Sequence, residues 1–360
     1  MNFRLSNTII LYPEKGKFFV YNFLLKRSID ISINEISLLR IFSEGRKDGK
    51  WIDEDCIYES FLIENEGSKN SFLKLVKAGV VIVEGSENDL LDLRYLSFWK
   101  WKFVTGSYHF SLKDTSFYSG DAEKKMAEAF EKKNNALGVE APILYWENKN
   151  EYVNIQYFDK PTSDDEILNL MSRRRTIRKF DREMAISDKD LLNIIYSGLG
   201  ITGFKTVDYG GTMPLKMTPS GGARNPYDAY VMCLNVTDIP RGLYHYSPTE
   251  HSFGLVKESL VVLPSEILGN QSWIDSAPAI IFLVANINRT MWKYEHHSGY
   301  KVMLIEAGHI AQNMILFAVS RGLNGSPTAA IHDGNFHKLI PLDKISQSCI
   351  YAIVLGYSLK

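Results

Sequence analysis

The 360-residue chain is short of several things, and each shortage removes a class of function. It has three cysteines, Cys56, Cys233 and Cys349, widely separated and never in a CxxC pair. Neither a disulfide framework nor a cysteine-rich zinc site is supported, and a reducing cytoplasm is the expected compartment. Charge of one sign is not in excess either. The 41 basic and 42 acidic side chains give a formal net charge of -1, so no general attraction draws the chain to nucleic acid or to an acidic membrane surface. The N-terminus, Met1-Asn2-Phe3-Arg4-Leu5, lacks the apolar block of a signal peptide, and no apolar run approaches the roughly 20 residues that span a bilayer. No GxGxxG follows a strand and no GxxxxGK precedes Ser or Thr, which removes the dinucleotide and P-loop readings. Internal repeats and low-complexity tracts are missing too. What is there is apolar: 45% hydrophobic and 12% aromatic residues can bury a large core and fill two domains.

Residues 1–95 read as a small α+β module. Strand-like runs at Thr8–Tyr12 and Lys17–Tyr21 precede helically spaced Ile36, Leu38, Leu39, Ile41 and Phe42, and a later helical stretch leads into the apolar run Val80–Val83. Helix, helix and ribbon in that order predict a winged-helix-like domain. Such modules usually bind DNA, but Asp53, Glu54, Asp55, Glu59, Glu64 and Glu66 would repel phosphates, so no nucleic-acid partner is expected. Residues 96–160 form an aromatic-rich connector in which Phe98, Trp99, Trp101, Phe103, Tyr108, His109, Phe110, Phe117 and Tyr118 must pack on something. Tyr108-His109-Phe110 reads as an active-site strip or, more often for such runs, as core. Asp121–Lys133 predicts a charged surface helix.

The main domain covers residues 161–360. Ser163 and Glu166 have capping-box spacing and predict a helix ending around Arg174, and Ser187 with Asp190 repeats the signal ahead of Leu191, Leu192, Ile194 and Ile195. Tyr230–Leu234 and Ala279–Val284 are nearly all apolar, as strands buried on both faces are, so a central sheet is expected. Val302–Arg321 carries Leu304, Ala307, Ala311, Ile315, Ala318 and Val319 at helical spacing and ends at Gly322-Leu323-Asn324-Gly325. Ile350–Gly356 is the final strand.

Four stretches carry chemistry. Arg173-Arg174-Arg175-Thr176-Ile177-Arg178 leaves a helix end with guanidiniums and a hydroxyl that can turn toward an anion; taken alone it reads rather as a solvated basic helix end, and only the other stretches reverse that. Pro219-Ser220-Gly221-Gly222-Ala223-Arg224-Asn225-Pro226 cannot be a helix interior and makes a turn whose backbone a planar ligand can approach closely. Gly325-Ser326-Pro327-Thr328-Ala329-Ala330 is a small-residue loop, ordinary by itself. Trp292-Lys293-Tyr294, followed by Gly299-Tyr300 and Glu306-Ala307-Gly308-His309-Ile310-Ala311-Gln312-Asn313, puts a Lys-Tyr pair just ahead of the long helix, although such a dipeptide is usually surface. His296, His297 and His309 lack metal-ligand spacing, and no metal is expected.

In this order the stretches resemble the nitroreductase-like flavoenzymes and, among them, the SagB/ThcOx-type azoline dehydrogenases. The resemblance covers Ser163 to Leu359; residues 1–160 match as a family extension whose N-terminal module would clamp a peptide or serve packing alone. It implies an α+β nitroreductase-like flavodomain, a central sheet flanked by helices, that binds FMN as a homodimer. It gives Arg174, Arg175, Thr176 and Arg178 the phosphate, ribityl chain or pyrimidine ring. Pro219, Ser220, Gly221, Gly222 and Asn225 fall to the edge of the ring system, and Thr328, Ala329 and Ala330 to the ring face opposite the substrate. Lys293 and Tyr294 match the family's catalytic pair.

Oxidising an azoline removes a proton from Cα and a hydride from the neighbouring ring carbon. Lys293 would take the proton if Trp292 and the flavin bury it, and Tyr294 would relay it. The function implied is oxidation of thiazoline or oxazoline rings to thiazole or oxazole in a ribosomally made peptide, with O2 as electron acceptor and a cyclodehydratase as partner. His297-Ser298 and Lys301 depart from the family pattern and bear on substrate identity. An NAD(P)H-dependent nitroreductase or dehydroamino-acid reductase, and a non-catalytic peptide- or partner-binding adaptor, are the alternatives. No membrane partner is expected.

Overall fold

The computed structural model describes residues 1–44, 51–57, 59, 66–115, 128, 131–132, 153–160, 165–207 and 211–359. They form two compact units: Met1–Lys113 with Ile287–Lys301 and Asp343–Gln347, and Asp114–Asn286 with Val302–Leu342 and Ser348–Lys360.

In the first unit β1 (Asn2–Leu5) and the meander of β2 (Ile9–Glu14), β3 (Lys17–Asn22) and β4 (Arg27–Ile31) are followed by α1 (Ile33–Glu44), β5 (Ile52–Asp53), α2 (Glu54–Ile57), α3 (Glu66–Lys77), β6 (Val81–Val83), α4 (Glu87–Phe98) and α5 (Phe103–Ser111). β1 lies between β5 and β6, while β4 is an edge of the meander. The alternation of β3 sends Val20 inward, where it joins Phe3, Leu38, Phe42, Phe72 and Leu75 in one apolar core. The strand-like runs expected at Thr8–Tyr12 and Lys17–Tyr21 are β2 and β3, and β4, which the sequence reading did not name, completes the meander. Aromatic residues from 95 to 110 pack on this unit: Phe23 meets Tyr95 and Phe103 edge-on at 5.5 and 5.2 Å. In Tyr108-His109-Phe110 the last two are core and Tyr108 is exposed. The helix expected over Asp121–Lys133 falls almost wholly outside the described residues.

One buried carboxylate ties β1 to α4. Asp92, 1% exposed, accepts from Arg4 Nη1 at 2.7 Å, Ser6 Oγ at 2.8 Å, and the backbone N and Nδ2 of Asn7 at 3.0 and 2.7 Å.

The second unit opens with α6 (Glu166–Arg173). Its cap is Asp165, whose Oδ1 accepts from the N–H groups of Ile167 and Leu168 at 2.9 Å each. The sequence pointed to Ser163, which lies outside the described residues; Asp165 wins because it directly precedes the first helical residue and so reaches the free donors of the first turn. α7 (Asp188–Leu199) begins as its spacing predicts, with Ser187 Oγ accepting from Asp190 N at 3.0 Å. Next come a separate ribbon of β7 (Ile201–Val207) and β8 (Gly211–Lys216), then β9 (Tyr227–Cys233), β10 (Gly242–Ser247), β11 (Ser252–Lys257), α8 (Pro264–Ile267) and β12 (Ala279–Asn286). α9 (Ile287–Lys293) belongs to the first unit. α10 (Ser298–Ser320), β13 (Asn324–Thr328), α11 (Asp333–Leu339) and β14 (Gln347–Gly356) complete the chain.

The expected central sheet has the order β11-β10-β9-β12-β14-β13, and the all-apolar runs in β9 and β12 are adjacent in it. α10 turns Met303, Ala307, Ile310, Ala311, Met314 and Ala318 into core. It ends where Gly322 takes φ 78, open to glycine without strain. Among the described residues it is a helix long and apolar enough to cross a bilayer, a property that its polar interruptions hide in the sequence.

Removing the Asp92 carboxylate takes away a buried acceptor shared by Arg4, Ser6 and Asn7 and leaves Arg4 with Asp89 alone as its carboxylate partner. Asp92→Ala is expected to cost about 3 kcal/mol, read as a lower urea midpoint by circular dichroism. Asp30→Ala, on the exposed edge strand, should change it by under about 0.5 kcal/mol.

Candidate functional site

The turn at Pro219–Pro226 is built against α10. Gly222, Ala223 and Asn225 have φ of 59, 56 and 46, so left-handed backbone is taken at three of four successive positions. Two of these are not glycine, and the conformation persists only if something over-determines it. Glu306, on the inner face of α10, supplies the constraint. Its Oε2 accepts from Ser220 Oγ at 2.9 Å and from Gly221 N at 3.3 Å. Ser220 Oγ in turn accepts from Asn225 N at 2.8 Å, closing the turn on itself, and Asn225 Nδ2 donates to Ala223 O at 3.1 Å.

Only glycine fits at 221, because a Cβ there would lie 2.5 Å from Cγ1 of Val302. About two turns of α10 further on, Asn313 Nδ2 donates to Thr218 Oγ1 at 3.1 Å, and Thr218 donates to Gly198 O at 2.8 Å. Burial raises the carboxyl of Glu306 above its usual range, opposed in part by the bonds from Ser220 and Gly221 and by Lys216.

The arginine stretch is fixed from another side. Ser326, fully buried in β13, accepts from Ile177 N at 3.0 Å and donates to Ile177 O at 2.5 Å, so one hydroxyl satisfies both backbone groups of that residue. Gly325 allows this strand to lie on α10, where a Cβ would come 2.8 Å from Ile315. With Ile177 clamped inward, Arg175, Thr176 and Arg178 are exposed and Arg174 half-buried. Arg175 Nη1 donates to the carbonyls of Ser172 and Arg174 at 2.6 and 2.8 Å, and Arg174 Nη1 reaches Thr176 Oγ1 at 3.5 Å.

The second unit thus ties Arg174, Arg175, Thr176 and Arg178 to the strand that ends in Thr328, and anchors Pro219, Ser220, Gly221, Gly222 and Asn225 on the helix that precedes that strand. Pro219 and Ala329 are exposed, and Thr328 and Ala330 half-buried. The donor set fits an anion-tailed planar ligand: several guanidiniums for the anion, and a flattened turn of small residues for a ring. The amides of Gly221, Ala223, Arg224 and Asn225 already have acceptors within the turn or on Glu306, so the turn offers chiefly shape.

Lys293 and Tyr294 stand in the first unit, at the end of α9. Lys293 is exposed, with Nζ 5.8 Å from the Tyr294 ring centroid. Trp292 is 71% exposed and does not provide the burial expected of it. What holds the pair is Trp101, whose indole N–H donates to Tyr294 O at 2.7 Å and whose ring meets Tyr300 edge-on at 5.8 Å. Gly299 is wedged between them, since a Cβ would lie 3.1 Å from both Trp101 and Tyr294. Behind Tyr300, its hydroxyl pairs with Nδ1 of buried His109 at 3.0 Å, and burial, with nearby Lys113, pushes that imidazole well below its usual range, so it is neutral.

The nitroreductase family model matches residues 171–357, just over half of the chain. This chain belongs to the nitroreductase family. Over 178 residues, 48% of this chain and 83% of the relative, it is 28% identical to a Methanocaldococcus jannaschii protein named as a nitroreductase. Over 146 residues it is 30% identical to the trifolitoxin-processing protein TfxB of Rhizobium leguminosarum bv. trifolii, and it spans 39% of that protein's length and 39% of its own. Among solved structures, the E. coli microcin synthetase McbBCD complex with truncated pro-MccB17 has a TM-score of 0.46 at 15% identity, covering 68% of this chain and 96% of that one. A nitroreductase-family protein from Desulfovibrio desulfuricans in complex with FMN has 0.37 at 18%, covering 55% and 88%. The nitroreductase-like fold rests on the family model and on the central sheet flanked by helices.

Glu306 and Ser326 lie inside the motif stretches and Trp101 inside the aromatic connector, but motif reading gave none of the three a role of its own. Glu306 had a signal: it shares the buried phase of α10 with Met303 and Ile310, and a carboxylate on an apolar face needs a partner.

Glu306 also sets a pH dependence. A carboxyl raised in the fold contributes stability below about pH 4.5 that is lost as pH rises through its folded value. Glu306→Gln keeps an acceptor without the charge. It should gain stability relative to the native chain between pH 4 and pH 7.5, measured by paired thermal melts, whereas Glu306→Ala should lose about 1–3 kcal/mol at both. A Gln difference that is flat with pH would contradict the assignment.

Proposed function

We propose that this chain is a SagB/ThcOx-type dehydrogenase that oxidises thiazoline or oxazoline rings in a ribosomally made peptide, with FMN as cofactor and O2 as terminal acceptor. The observation that carries the reading is the pair of ties in the second unit, Ser326 to Ile177 and Glu306 to the 219–225 turn, which hold the cation set and the flat turn in place. Membership of the nitroreductase family supports it. The relative named for trifolitoxin processing favours a modification enzyme over a free-standing reductase.

A hydride acceptor is what FMN supplies when bound. The chain's own residues do the rest. Arg174, Arg175 and Arg178 offset the phosphate charge, and Thr176 offers a hydroxyl to the ribityl or phosphate oxygens. Lys293 takes the Cα proton and Tyr294 relays it, with Trp101 fixing the backbone that carries both. A reductase would leave Lys293 and Tyr294 without a task. A cytoplasmic homodimer working with a cyclodehydratase completes the proposal.

A groove in the first unit suits the peptide. Its cavity of about 900 Å³ is lined by Lys26, Arg27, Ser28, Ile29, Asn70, Leu73, Lys74, Lys77 and Ala78, four basic residues of which Lys74 is already paired with Glu35 at 3.1 Å and Asp30 at 3.5 Å. One wall is the edge strand β4 and the other α3, where Leu73 is 52% exposed. An extended acidic segment could pair with the strand edge while cations meet its carboxylates.

Turnover of an azoline peptide under air should fall about a hundredfold or more in Lys293→Ala and in Tyr294→Phe, with the flavin absorbance near 450 nm retained. Unchanged turnover would remove the base assignment, and a colourless protein that takes up no FMN would remove the flavin reading. Lys26→Glu combined with Lys77→Glu should raise KM for a peptide bearing an acidic segment about tenfold and leave kcat unchanged.

A further inference from the structure

The hydroxyl of Thr328 has a fixed polarity, set by Gln271 and Trp273. Trp273 Nε1, which can only donate, reaches Gln271 Oε1 at 3.3 Å. The carbonyl of Leu268, which can only accept, lies 3.0 Å from Gln271 Nε2. Two one-way partners at opposite ends of the amide leave it a single orientation. Its Nε2 therefore also donates, at 3.3 Å, to Thr328 Oγ1. The backbone N–H of Ala330 donates to the same oxygen at 3.2 Å.

A threonine hydroxyl has two acceptor positions and one proton. Here both acceptor positions are filled, so the proton points away from Gln271 and from the Ala330 amide. Thr328 is half-buried at the end of β13, the strand whose Ser326 clamps the arginine stretch, and is followed by exposed Ala329 and half-buried Ala330. A donor locked in one sense at that position suits a ligand acceptor, and the isoalloxazine carbonyl and imine edge is rich in them, which assigns the Thr328 hydroxyl to that edge rather than to the ring face that the resemblance gives it.

We propose that Gln271, oriented by Trp273, is a positioning residue that makes the Thr328 hydroxyl a one-way hydrogen-bond donor to an acceptor of the bound flavin. The inference rests on the FMN reading above and adds two residues to it. Gln271 acts only through Thr328, so its effect must vanish once the hydroxyl is gone.

The test is FMN titration of the full-length apoprotein, followed by quenching of flavin fluorescence. Thr328→Val, which keeps the shape and removes the hydroxyl, should weaken binding about tenfold, and Thr328→Ser should stay within about twofold of the native chain. Gln271→Met should weaken it about threefold, because the hydroxyl regains freedom to turn inward. The double variant Thr328→Val with Gln271→Met should bind no more weakly than Thr328→Val alone. Circular dichroism melts of each variant separate loss of binding from loss of fold. Native-like affinity in Thr328→Val would overturn the inference, as would a double variant whose loss is the product of the two single losses. A native chain that binds no FMN would overturn the flavin reading itself, and this inference with it.

Discussion

The second unit depends on a carboxylate in an apolar helix face. α10 is core along most of its length, and Glu306 interrupts that core with a group whose burial is costly unless it is paired. It is paired with Ser220 and Gly221, so the desolvation of one side chain is offset by ordering a turn that would otherwise not hold three left-handed residues. The close approach that makes this work needs Gly221 against Val302, and Asn313 repeats the device further along the helix through Thr218. A rigid helix therefore dictates the shape of a flexible-looking loop.

The same economy appears at Ser326. One buried hydroxyl meets both backbone groups of Ile177, which sets the direction in which the arginines leave α6. Because β13 lies on α10 through Gly325, the loop and the cation stretch share a scaffold without needing to touch each other. In the first unit, Trp101 plays a comparable part for Tyr294, with Tyr300 and His109 packed edge-on behind it in an aromatic cluster. In each case a single polar contact from the core places a functional stretch on an irregular segment, which is where catalytic groups most often lie.

Much of this architecture is legible in the residues. The apolar runs of β9 and β12, the Ser187 cap, the phase of α10 and its stop at Gly322 follow from local rules of periodicity, capping and glycine freedom. The motif stretches were likewise visible, since arginine clusters and Pro-Ser-Gly-Gly turns advertise themselves by composition. What stayed hidden is long-range. Ser326 and Ile177 are 149 positions apart, Ser220 and Glu306 are 86, and Trp101 and Tyr294 are 193. No periodicity or spacing pairs such residues; only the fold does. The cap of α6 went to Asp165 for a local reason that spacing to Glu166 obscured.

In the proposal made here for the second unit, the stretches around Ile177, Gly221–Asn225 and Thr328–Ala330 together receive one ligand, FMN. Amide hydrogen exchange of the apoprotein with and without FMN, read by mass spectrometry at peptide resolution, tests it most directly. Slowed exchange at all three stretches together, saturating at one FMN per chain, is the predicted result. Protection limited to one stretch, or found only elsewhere in the chain, would contradict it.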